Sequence, residues 1–88
     1  MKIYKYQIPK PNDDGISYIE MPTCSEPLSV GLQGDNMVLW AKVWSEHYKE
    51  NKVFIVVNTG IEYPYSEGKF IGTITSSSGV VWHVLEHK

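Results

Sequence analysis

Residues 28–44 read LSVGLQGDNMVLWAKVW, and this stretch limits the fold more than any other part of the chain. Leu28, Val30 and Leu32 alternate with Ser29, Gly31 and Gln33 before Gly34, Asp35 and Asn36. Successive side chains of a strand point to opposite faces, and Gly, Asp and Asn tolerate the positive φ of a tight hairpin, so the pattern predicts strand, turn and strand. On the returning segment Met37, Leu39, Ala41 and Val43 share one face, while Val38, Trp40, Lys42 and Trp44 share the other. Large apolar groups in both columns predict a strand covered on both sides.

The same period recurs over 3–8, 16–21, 53–59, 70–75 and 80–87. Short strands separated by turn signals every few residues predict an all-β fold: one antiparallel sheet, sandwich or barrel of about six to seven strands. The stretches PNDDG at 11–15 and SSSG at 76–79 read as hairpin-type connections. SEHYKENK at 45–52 has the one helix-like composition, with Ser45 placed as an N-cap, and predicts at most one short helical turn near 45–51. A chain of 88 residues without linkers or repeats is expected to form a single domain over 1–88.

Charge narrows the partners. The eight basic residues are all Lys, the ten acidic residues leave a net charge of -2, and no Arg is present to read phosphate or guanine bidentately. Direct nucleic-acid binding is thereby disfavoured. The longest apolar run, VFIVV at 53–57, is far short of the roughly 20 residues that span a bilayer, so no membrane partner is expected. The single Cys24 and the polar start MKIYKYQIPK predict a reducing cytoplasm as the site of action.

No reaction announces itself. Cys24 in MPTCSEP reads as a loop spacer, and NTG at 58–60 is too short for a phosphate-cradling loop. His83 and His87 would present two imidazoles to one metal on a helix, but on a strand they stand about 13 Å apart, so no metal or cofactor is expected. In VVWHVLEH the period-two reading sends Trp82 and His83 to opposite faces, and it places both Trp40 and Trp82 in the core. The acidic residues are scattered, and the chain is expected not to be an enzyme.

What remains is a set of large amphipathic side chains in connecting segments: Trp44, His47 and Tyr48 in one, Tyr63 and Tyr65 in IEYPYSEGK. Such residues bury much area at small entropic loss, which makes these five the candidate binding site. The first strand, KIYKYQI, is apolar on both faces and is the expected sheet edge. A chain with so few strands to protect its edges is expected to form a homodimer or small closed oligomer.

The segments IYKYQIP, IEMP, LSVGLQ, LWAKV, FIGTI and WHVLE, in that order, resemble a family of small proteins of unknown function from bacteriophages, prophages and bacteria. Its members open with a Trp/Tyr-Lys-Tyr segment, carry an LWA.V strand and close with a GT segment followed by (W/F)HV(F/L)E. Where similar proteins continue F...GTG with a His-Pro-like turn, this chain reads FIVVNTGIEYPYSEG. The resemblance brings no activity or catalytic residues. It implies an accessory protein in the host bacterial cytoplasm that inhibits a host or defence protein by binding it. The alternatives are a virion structural or assembly protein, and a sponge for a small nucleotide signal; the sponge would need phosphate donors that only Lys or backbone N–H groups could supply.

Overall fold

The computed structural model describes residues 1–44, 48–62 and 68–87. Among these the chain is all-β, with seven strands: β1 Lys2–Gln7, β2 Ile16–Pro22, β3 Glu26–Gln33, β4 Asn36–Val43, β5 Lys49–Asn58, β6 Lys69–Thr75 and β7 Val81–Glu86. They form two antiparallel sheets, one in the order β1-β4-β3 and one in the order β2-β5-β7-β6. The expected hairpins at Gly34-Asp35 and at 76–79 are present, and among the described residues positive φ falls only on glycine, including Gly34 and Gly79. The helical turn expected near 45–51 is corrected over its last part: Lys49–Asn51 are strand, paired with Pro22 to Glu20. Ser45, Glu46 and His47 lie outside the described residues.

PNDDG does not join neighbours in one sheet, because β1 and β2 belong to different sheets. It is nonetheless a tight turn: the Asn12 side-chain carbonyl accepts from the Asp14 and Ile16 N–H groups at 2.9 and 3.0 Å. The Gly15 carbonyl then accepts from Val56 N–H at 2.8 Å, which seats the turn on β5.

The core lies between the sheets. Leu39 and Ala41 of β4 face Ile19 and Met21 of β2, Phe54 and Val56 of β5, Ile74 of β6 and Val84 of β7, all buried. Apolar side chains alternate inward along each strand, so burying them is what fixes the register. At one side the sheets approach closely: the Val30 side chain of β3 lies over Gly72 of β6. A bulge in β3 between Pro27 and Ser29 and one in β6 between Phe70 and Gly72 bend these two edge strands.

Of two expectations about tryptophan, the one for Trp40 is corrected and the one for Trp82 is met in part. Trp40 is half-buried on the outer face of the three-stranded sheet, with its ring against Gly31, because its column also holds Lys42. Trp82 packs against the core but is itself only half-buried, because it sits where the sandwich opens. Val38, in the Trp40 column, is 3% exposed. Lys5 of β1 reaches across β4 to donate to Gln33 Oε1 at 2.6 Å, and its methylene stem spans the strand that carries Val38.

Candidate functional site

The antiparallel pairings give the sandwich two ends. The turn at 34–35, the 9–15 connection, Asn58 and the 76–79 turn share one end; Thr23–Ser25, Trp44, Tyr48, Lys69 and His87 share the other.

Of the five candidate binding residues, Trp44 and Tyr48 are described, and both stand at the second end. Trp44 is 54% exposed and follows Val43, which is buried; Tyr48 is 78% exposed. The Tyr48 carbonyl accepts from Thr23 N–H at 2.9 Å, so its backbone is held to the turn after β2 while its ring meets solvent. His47, Tyr63 and Tyr65 lie outside the described residues.

The first end carries two clefts that share Trp82. One of about 480 Å³ is walled by Asn12, Asp13, Asp14, Asn58, Glu62 and Trp82. The other, of about 340 Å³, is walled by Leu32, Gly34, Asp35, Met37, Ser76 and Trp82. Four carboxylates, Asp13, Asp14, Glu62 and Asp35, thus belong to the walls, which makes this end unfavourable for an anion. Sequence reasoning missed these clefts because the period-two pattern tells which residues share a face and not where along a strand the sandwich ends.

His83 points away from Trp82, as the alternation predicts, onto the outer face of the four-stranded sheet. Its Nε2 is 2.7 Å from Thr59 Oγ1 and its Nδ1 is 3.0 Å from Thr73 Oγ1. Thr73 is its register partner on β6, and the Phe70 ring lies 6.2 Å away, centroid to centroid. The same face carries an unbroken apolar row across all four strands, Ile16, Ile55, Leu85 and Phe70, in which Ile55 is buried and Phe70 is 58% exposed.

At the second end, Lys52 and Glu86 lie on the inward face. Lys52 Nζ is 3.4 Å from Glu50 Oε1 and 3.8 Å from Glu86 Oε2. Among the described residues no three His, Cys, Asp or Glu side chains group as a metal site, and no helix is long and apolar enough to cross a membrane.

No curated protein and no solved structure matches the chain. One family model does, over residues 1–88: the chain belongs to the family described as a domain of unknown function, DUF7352.

Proposed function

We propose that this chain is a non-enzymatic binding module, a small phage accessory protein that holds a host or defence protein in the bacterial cytoplasm and thereby inhibits it. The observation that carries the reading is the exposure of Trp44, directly after β4, and of Tyr48, whose carbonyl is held by Thr23 N–H, at one end of the sandwich. Aromatic rings exposed on a rigid frame lose little entropy on binding, and they dominate the energetics of protein interfaces. The phage setting rests on the order of sequence segments described above. A homodimer or small closed oligomer belongs to the same proposal, with β1 as the edge strand that needs protection.

The sponge alternative gains nothing from the clefts, since the carboxylates in their walls repel phosphate. The test is isolation of a complex from bacterial lysate, followed by light scattering on the purified pair. A defined stoichiometry lost on Trp44→Ala with Tyr48→Ala supports the reading. Recovery with virion proteins alone, or a complex indifferent to both substitutions, contradicts it.

A further inference from the structure

His83 holds a hydroxyl on each ring nitrogen: Thr59 Oγ1 lies 2.7 Å from Nε2 and Thr73 Oγ1 lies 3.0 Å from Nδ1, both within hydrogen-bond distance. Each hydroxyl can donate or accept, so either neutral tautomer satisfies the pair; in the one with its proton on Nδ1, Thr59 donates to Nε2 and Nδ1–H donates to Thr73. That is a hydroxyl on a base, with the base oriented by a third group, the arrangement that activates a nucleophile. Thr59 is exposed. It is followed by Gly60, at φ +87°, for whose N–H no backbone hydrogen bond is found among the described residues. The exposed Phe70 ring beside His83 offers an apolar surface to the acyl chain.

We infer that Thr59 is an acyl-acceptor site, a hydroxyl activated by His83 that takes an acyl group from an activated ester or thioester and keeps it. Thr59 Oγ1 attacks the donor carbonyl and its proton passes to His83 Nε2. The acyl C–O or C–S bond then breaks, and the leaving alkoxide or thiolate takes the proton back from His83. The products are an ester on Thr59 and a free alcohol or thiol, with no change of oxidation state. Thr73 is a positioning residue: its hydroxyl orients the ring through Nδ1 but supports an imidazolium less well than the carboxylate of a hydrolase triad does. The alkyl ester formed on Thr59 is a less reactive acyl group than the activated donor, so its hydrolysis through the same weakly supported imidazolium is slower than its formation and the ester accumulates, which makes this capture rather than turnover. The inference goes beyond the binding reading and does not rest on it.

The test incubates the full chain with p-nitrophenyl acetate and maps acetyl groups by peptide mass spectrometry. Hydroxylamine treatment separates esters from the amides formed on lysines. The expected result is hydroxylamine-labile acetylation at Thr59, roughly tenfold above Thr23, Thr73 and Thr75, and slower in deuterated water. His83→Gln should lower the Thr59 rate by about a hundredfold, and Thr59→Ser should retain acetylation at the same position. Should His83→Gln fail to fold, the solvent isotope effect and the Thr59→Ser and Thr73→Val rates in folded protein decide the matter. Acetylation of Thr59 no greater than that of the other threonines, or equal rates in light and heavy water, overturns the inference.

Discussion

The Cγ2 methyl of Val30 lies 2.9 Å from the position that a Cβ on Gly72 would occupy. Where β3 meets β6, the packing therefore leaves no room for a side chain at position 72. Gly72→Ala forces the methyl and the ring of atoms around it apart and should cost about 1–3 kcal/mol. Pairing it with Val30→Ala removes the clash, so the double variant should lose less than the sum of the two single changes. Additive losses in a chemical-denaturation cycle would show that the sheets do not depend on this approach.

The core should respond according to depth rather than ring size. Phe54 is fully buried between the sheets, and Phe54→Ala should cost about 3–5 kcal/mol. Trp82, half-buried at the rim, should cost about 1–3 kcal/mol on Trp82→Ala, because much of its surface already meets the clefts. Thermal melts that rank Trp82→Ala as the more damaging change would place it in the core after all.

These outcomes bear on how far the sequence alone leads. The strands are legible because their apolar residues alternate, and the hairpin at Gly34-Asp35 because few residues tolerate its backbone. The division into two sheets is not legible, since it depends on β1 pairing with β4 and β2 with β5 across long stretches of chain. Trp40 was assignable to the outer face: Lys42 shares its column, and a charge in a column argues for solvent. The contact of His83 with Thr73 and Thr59 had no local signal, because it arises from the register of β6 on β7 and from where the chain leaves β5. Of the candidate binding residues, Trp44 and Tyr48 stand exposed, as large amphipathic residues outside strands are expected to.

Lys52 ties Glu50 to Glu86 on the inward face near one end. Removing its charge by Lys52→Met leaves two carboxylates beside each other in a partly desolvated place and should cost about 1–2 kcal/mol. Adding Glu86→Gln should recover most of that loss, since the repulsion then disappears. A double variant less stable than Lys52→Met would assign Glu86 a partner other than Lys52.

The central claim, that Trp44 and Tyr48 serve recognition and not folding, is tested most directly by measuring stability and partner affinity on the same double variant. Replacing Trp44 and Tyr48 together by Ala removes two exposed rings, so unfolding free energy should stay within about 0.5 kcal/mol of the parent. Affinity for the partner isolated from host lysate, measured by calorimetry, should fall by about 2 kcal/mol or more. A variant that unfolds readily, or one that binds the partner as tightly as the parent, would contradict the account.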